Sequence, residues 1–129
     1  NGEKINFYRP PDKNHVSHSL NDWQNNYKKT GEHISVETIT LEKIMEENSL
    51  KNVNLLKLDI EGAEIEVIKS TIGSKIFPNQ ICVEFDELHK FNNTSKNRFL
   101  EIYNLLKENS YDLIKTDEHP NFLFIRAID

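Results

Sequence analysis

Short apolar runs alternate along the chain with segments of helical periodicity. Apolar runs of strand length lie at residues 53–59 and 80–85, and each is followed by apolar positions spaced three and four residues apart. This alternation predicts an α/β domain whose parallel strands are connected by helices that cover both faces of the sheet. Residues 111–116 and 121–128 form two further predicted strands joined by a tight turn at 117–120. The sheet is therefore expected to end in an antiparallel hairpin.

Three segments have the spacing of amphipathic helices. Thr40 is the predicted N-cap of the first helix, the second spans residues 61–70, and Thr94 or Ser95 is the expected N-cap of the third and longest helix. The positions predicted to face the core are Leu41, Ile44 and Met45 in the first helix, Ile65, Ile68 and Ile72 in the second, and Phe99, Ile102, Tyr103 and Leu106 in the third.

The N-terminal part of the chain is less regular. Residues 5–8 are predicted to be the second strand of a hairpin whose first strand is missing, because an Asn-Gly pair, a strong hairpin-turn signal, precedes them. Two consecutive prolines then end this strand. Residues 12–33 are polar and predict an irregular loop, and residues 34–38 predict a short strand.

Charge and composition exclude several classes of protein. The 16 basic and 21 acidic residues give a net charge of −5, which disfavours a nucleic-acid-binding protein. No apolar run approaches the roughly 18–20 residues of a membrane span and no signal peptide is recognisable, so a cytoplasmic protein without membrane association is expected. The single Cys82 and the spacing of the histidines predict neither a disulfide nor a metal site.

Acidic residues follow the two predicted central strands. Lys57 and Asp59 share a face of strand 53–59, and we expect them to pair because unpaired charges inside a sheet covered on both faces would be costly. Asp59 and Glu84 end strands that are predicted to be neighbours, at the edge where open α/β sheets bind ligands. A carboxylate at this place could act as a general base, fix a substrate hydroxyl or hold a metal ion.

Further titratable residues lie close by in the sequence. Glu61 and Glu64 fall in the first turn of the second helix, where acids also offset the helix dipole, and this structural interpretation is favoured for Glu64. His89 follows Glu84 and is a candidate base, since histidine changes charge near neutral pH; histidines in polar loops more commonly face solvent. The candidate catalytic residues are Asp59, Glu61, Glu84 and His89.

Signals for other chemistry are missing from the sequence. Its four glycines are at least 11 residues apart, so no glycine-rich turn exists to bring backbone close to a nucleotide or cofactor. The sequence also contains neither a G-x-S-x-G nucleophile elbow nor a Cys–His pair with supporting context.

Three segments together resemble a known family. VETITLEKI at 36–44, LKLDIEGAE at 56–64 and ICVE at 81–84 are similar, in sequence and in order, to the C-terminal half of FkbM-type methyltransferases. The resemblance implies the C-terminal half of a Rossmann-like methyltransferase sheet. Strands 53–59 and 80–85 would be its fourth and fifth strands, and the C-terminal hairpin would supply the sixth and the antiparallel seventh.

The resemblance also implies a function. Residues 1–129 would be a single, partial catalytic domain that lacks the N-terminal cofactor-binding strands, so the chain alone is expected to be inactive. The complete protein would use S-adenosylmethionine to methylate a hydroxyl group of a sugar or other small-molecule or glycan acceptor. Asn14, Ser17 and Ser19 match a polar stretch that approaches the cofactor in the family, and are the expected cofactor-binding residues.

Two alternative functions remain open, and self-association of the chain is also predicted. A metal-dependent nuclease or phosphoesterase is a second hypothesis, although Glu66 and Lys69 do not have the spacing of a D…E-x-K site and the net charge of −5 disfavours a polyanionic substrate. A non-catalytic interaction domain is the third. Without preceding strands, strand 53–59 would be an exposed apolar edge, which predicts self-association through it.

Overall fold

The computed structural model describes residues 2–21, 26–29, 31–116 and 120–127. Short 3₁₀ turns occur at Tyr27–Lys29 and Asp86–Lys90. Residues 117–119 of the predicted hairpin turn and the end of the predicted strand 121–128 lie outside the described residues. The strands and helices, in chain order, are β1 (Lys4–Tyr8), β2 (His33–Glu37), α1 (Leu41–Glu47), β3 (Leu55–Leu58), α2 (Glu64–Gly73), β4 (Gln80–Glu84), α3 (Asn93–Glu108), β5 (Tyr111–Thr116) and β6 (Asn121–Arg126).

The central sheet is mixed and has the strand order β3-β4-β6-β5. Strands β3 and β4 are parallel, with Lys57 in register with Cys82. Strand β6 is antiparallel to both of its neighbours, β4 and β5. The predicted α/β class, parallel pair and antiparallel C-terminal hairpin are therefore confirmed in the described residues.

Helices cover one face of this sheet. Apolar residues of α2 and α3 pack with the inward-facing residues of all four strands in a single core, because successive crossovers of the same hand return to the same side. The opposite face, which we call the open face, leaves Leu55 53% and Ile114 57% exposed. The prediction that helices cover both faces is wrong for the described residues. Helix α1 packs against α2 instead, and contrary to expectation none of its residues is fully buried.

The first strand has a partner from later in the chain. Strand β1 pairs antiparallel with β2, with Lys4 opposite Glu37 and Tyr8 opposite His33. The sequence did not predict this pairing. The glycine of the Asn-Gly pair continues the ladder, since the backbone N–H of Gly2 donates to the carbonyl of Thr38. The irregular segment after β1 then folds back, and Tyr8 and Ser19 form an isolated β-bridge.

Two helices begin at other residues than their sequences predict. The N-cap of α3 is Asn92, whose side chain accepts from the N–H groups of Thr94 and Ser95, while Ser95 returns a capping-box contact. Thr94 and Ser95 are thus inside the helix. Helix α2 begins at Glu64 because Glu61 and Gly62 have φ values of +57° and +106°, which no right-handed helix accommodates.

Candidate active site at the carboxyl ends of the sheet

The parallel pair places two acids at one groove. Asp59 follows β3 and Glu84 ends β4, so both lie at the carboxyl end of the sheet. They line a groove of about 250 Å³ on the open face. Other polar residues that line it are Lys57, Lys115, Thr116 and Asn121. The groove therefore offers both carboxylates and ammonium groups to a ligand.

Asp59 forms an ion pair with its strand neighbour. The Nζ atom of Lys57 lies 3.1 Å from Oδ2 of Asp59, and the two side chains are 68% and 51% exposed. They pair as expected, but the expectation that both are buried is wrong because nothing among the described residues covers the open face. An exposed pair of this kind contributes only about 0–1 kcal/mol to stability, so both groups can exchange partners with a ligand.

Glu84 forms a closer pair with His89. The chain turns after β4 into the 3₁₀ turn Asp86–Lys90, which brings Nε2 of His89 to 3.0 Å from Oε1 of Glu84. Both side chains are about 30% exposed (29% and 31%). A carboxylate that accepts from one imidazole nitrogen fixes the ring and leaves the other nitrogen, Nδ1, to accept a proton. The pair thus has the arrangement of an oriented general base.

Glu61 lies in the loop at residues 60–63, between β3 and α2. Side chains from the N-terminal part of the chain hold the backbone of this loop. The hydroxyl of Ser19 donates to the carbonyl of Glu61, and the side-chain amide of Asn21 donates to the carbonyl of Gly62 at 2.7 Å. A Cβ atom at residue 62 would lie 3.2 Å from Asn21 and 3.4 Å from Asp86. Only glycine fits this crowded position at φ +106°.

The side chain of Glu61 is held by a tyrosine that the sequence pattern does not mark as functional. Tyr27 is fully buried, and its hydroxyl donates to Oε2 of Glu61 at 3.3 Å. The same hydroxyl lies 3.3 Å from Oγ of Ser17. The available signal in the sequence was an aromatic residue inside a polar stretch that otherwise predicts a solvated loop.

Glu64 supports the same loop from inside. Its side chain is 1% exposed and accepts from the backbone N–H groups of Ile60 and Gly62 at 3.0–3.2 Å. Burial raises the pKa of Glu64 to about 7. The negative charge of the buried Glu87 also raises this pKa, whereas the hydrogen bonds from the backbone N–H groups lower it. The contacts agree with the structural interpretation of Glu64, here as a brace for the loop.

The predicted cofactor-binding residues separate into two groups. Ser17 contacts the hydroxyl of Tyr27, which binds the side chain of Glu61, and the hydroxyl of Ser19 donates to the backbone carbonyl of Glu61. Asn14 lies in an exposed turn, where its backbone N–H donates to Asp12. No contact joins Asn14 to the other two among the described residues.

The residues of the nuclease hypothesis are not gathered in the groove. Glu66 and Lys69 point from α2 toward α3, where they contact Arg98 at 3.6 Å and Glu101 at 2.9 Å. In the described part of the chain, no group of three or more His, Cys, Asp or Glu side chains could hold a metal ion. No described helix is long and apolar enough to cross a membrane.

Comparisons with known proteins identify one family. The family model described as the methyltransferase FkbM domain matches residues 2–113 of the 129-residue chain. The matched range includes β3, the loop at residues 60–63, Glu84 and His89. Neither the curated proteins nor the solved structures contain a match to this chain.

Proposed function

The chain belongs to the FkbM methyltransferase family, and on this premise we propose that it is part of an S-adenosylmethionine-dependent enzyme that methylates a hydroxyl group of a sugar or small metabolite. The family match supports methyl transfer. The central sheet also agrees with the one that the sequence resemblance implies, since β3 and β4 are parallel neighbours and the last strand, β6, is antiparallel.

The pair of Glu84 and His89 is the observation that carries the assignment to hydroxyl groups. A hydroxyl must lose its proton as its oxygen gains the methyl group, and a positioned base accelerates such a step by about 10²–10⁴-fold. With Nε2 bonded to Glu84 at 3.0 Å, Nδ1 of His89 would take the proton from the acceptor. Glu84 keeps the imidazole in the required tautomer and stabilises its charged form.

Asp59 and Glu61 would then position the acceptor. Asp59 lines the groove and exchanges its exposed partner Lys57 for an acceptor hydroxyl. The hydroxyl of Tyr27 holds the carboxylate of Glu61 at 3.3 Å, so this carboxylate has a defined place in the loop that follows β3. Positioning of this kind lowers the barrier by fixing the reacting groups before the reaction.

S-adenosylmethionine would supply the methyl group, and two of the predicted cofactor-binding residues, Ser17 and Ser19, already have partners within the protein. The hydroxyl of Ser19 donates to the protein backbone, and that of Ser17 contacts Tyr27. The space beside Gly62 is filled by Asn21 and Asp86. We therefore propose that the cofactor is held mainly by strands that residues 1–129 do not contain, and that this chain alone is inactive.

The test uses the longest open reading frame that contains this chain. Formation of S-adenosylhomocysteine is measured with a panel of sugars and small hydroxylated metabolites, and thermal unfolding is measured in parallel. Glu84→Gln and His89→Gln should lower transfer at least a hundredfold, while the melting temperature shifts by only a few degrees. Asp59→Asn and Glu61→Gln should raise KM more than they lower kcat.

The control is Glu46→Gln, which removes an exposed acid of α1 and should leave transfer unchanged. If Glu84→Gln and His89→Gln retain transfer, or lose it only by unfolding, the base assignment is wrong. If no panel member is methylated while amines or thiols are, the assignment to hydroxyl groups is wrong.

A further inference from the structure

A second groove lies beside the N-terminal hairpin. Its volume is about 440 Å³, which is in the range of small-molecule sites. In a chain with a net charge of −5, its lining is mainly basic and imidazole-bearing: Glu32 is the one acid among the described lining residues. The cationic and imidazole side chains that line it are Arg9, Lys13, His15, His18 and His33. We call it the histidine groove.

Two of the imidazoles are oriented by the backbone. Nδ1 of His18 lies 3.3 Å from the carbonyl of Val16, and Nδ1 of His33 lies 2.9 Å from the carbonyl of Gly31. A carbonyl only accepts, so each Nδ1 donates its proton to that carbonyl; in the imidazolium form Nε2 also carries a proton and donates it to an anion. Among the described residues the histidines do not meet in a geometry that could hold a metal ion, which leaves an anion as the complementary ligand.

The histidine groove is connected to the candidate active site. Nδ1 of His15 lies 3.4 Å from Oγ of Ser17, and Ser17 lies 3.3 Å from the hydroxyl of Tyr27. Tyr27 in turn donates to Glu61 at 3.3 Å. Three successive contacts therefore lead from the groove wall to a candidate catalytic carboxylate.

We propose that the histidine groove binds the phosphate group of a phosphorylated acceptor, such as a sugar phosphate. Guanidinium, ammonium and imidazole groups converge there, and phosphate has enough oxygen atoms to accept from several of them at once. Arg9 has Glu32 at 3.9 Å as an exposed partner, which a phosphate can replace at little cost. The identification of this ligand as the methyl acceptor rests on the proposed function, whereas phosphate binding does not.

The probe is glucose 6-phosphate, titrated into the ¹⁵N-labelled chain and followed by two-dimensional amide spectra. Glucose and inorganic phosphate are titrated separately. We expect saturable shifts at residues 9–18 and 32–34 with glucose 6-phosphate, weaker binding of inorganic phosphate and no binding of glucose. Equal affinity for both phosphates would show that the groove does not recognise an ester and would overturn the acceptor assignment.

Substitutions in the groove wall locate the binding. Lys13→Gln and His18→Gln should each weaken glucose 6-phosphate binding at least threefold. Lys96→Gln removes the same charge from an exposed site at the start of α3 and should leave the affinity unchanged. An equal loss in Lys96→Gln, or shifts spread over the whole surface, would overturn the proposal. Because no methyl transfer is measured, this result is independent of the proposed activity.

Discussion

The hydroxyl of Tyr27 and the carboxylate of Glu61 lie 3.3 Å apart although 34 residues separate them in the chain. The contact joins a segment without strands or long helices to the loop at the carboxyl end of β3. Ser19 and Asn21 hold the backbone of the same loop. The irregular N-terminal segment is thus a structural part of the candidate site, and the position of Glu61 depends on it.

Tyr27→Phe should destabilise the protein by about 1 kcal/mol, the usual net contribution of a buried hydrogen bond. The ring remains in place, but Glu61 and Ser17 lose the hydroxyl that they contact. Urea unfolding measures the change in free energy. Tyr103→Phe is the matched control, since the Tyr103 hydroxyl has no hydrogen-bond partner among the described residues and should be near neutral. Equal effects of the two substitutions would contradict a role for the Tyr27 contact.

Gly62→Ala should destabilise the protein by about 1–3 kcal/mol, because a non-glycine residue in a disfavoured backbone region is strained. The φ of +106° and the atoms of Asn21 and Asp86 within 3.4 Å of the added Cβ both oppose it. Gly73→Ala is the control: it lies in α2 with nothing within 4 Å of the added Cβ, and should be neutral or stabilising by up to about 1 kcal/mol. A Gly62→Ala protein as stable as wild type would show that the loop adapts.

Glu64 should make the protein less stable as the pH rises through 7. Its pKa is raised by burial from 4.5 to about 7, so the folded state binds this proton more tightly than the unfolded state does. The corresponding stabilisation is complete below pH 4.5 and is lost as the pH rises through 7, by roughly 3 kcal/mol in total. Glu64→Gln removes this titration.

The measurement is the free energy of unfolding of both proteins between pH 4.5 and 8.5. The difference between Glu64→Gln and wild type should move in favour of the variant as the pH increases, with most of the change between pH 5 and 7.5. Glu66→Gln serves as the control, because Glu66 is an exposed acid two residues further along α2. Parallel curves for wild type and Glu64→Gln would mean that Glu64 is not the titrating group.

Strand β3 should mediate self-association. It is at one edge of the described sheet, and its apolar Leu55 is 53% exposed, so its free backbone groups can pair with a second copy. We expect sedimentation to show reversible association of the wild-type chain and a shift toward monomer in Leu55→Lys. Ile114→Lys introduces the same charge on β5, the other edge strand. Association that survives Leu55→Lys but not Ile114→Lys would place the interface on β5.

Local features of the sequence predict much of the central sheet. The apolar runs of β3 and β4 and the spacing of Ile65, Ile68 and Ile72 are enough to predict strands, a helix and its buried face. Asp59 and Glu84 could be named because strand ends are visible in the sequence and parallel strands share an edge. The family resemblance is also carried by contiguous residues, and the family match confirms it.

Contacts between distant segments depend on the tertiary structure. The Asn-Gly turn signal next to β1 does not show that β1 pairs with β2, which lies more than 20 residues later in the chain. The polar composition around Tyr27 does not show that its side chain is buried against Glu61. Lys57 and Asp59 were expected to be buried, but they lie on the open face in contact with solvent. Burial depends on which elements pack against a strand and not on the strand's own residues. The sequence by itself therefore determined the strands of the central sheet, their order along the chain and the family. Only the folded chain, where entropy is spent to bring remote groups together, decided which side chains meet.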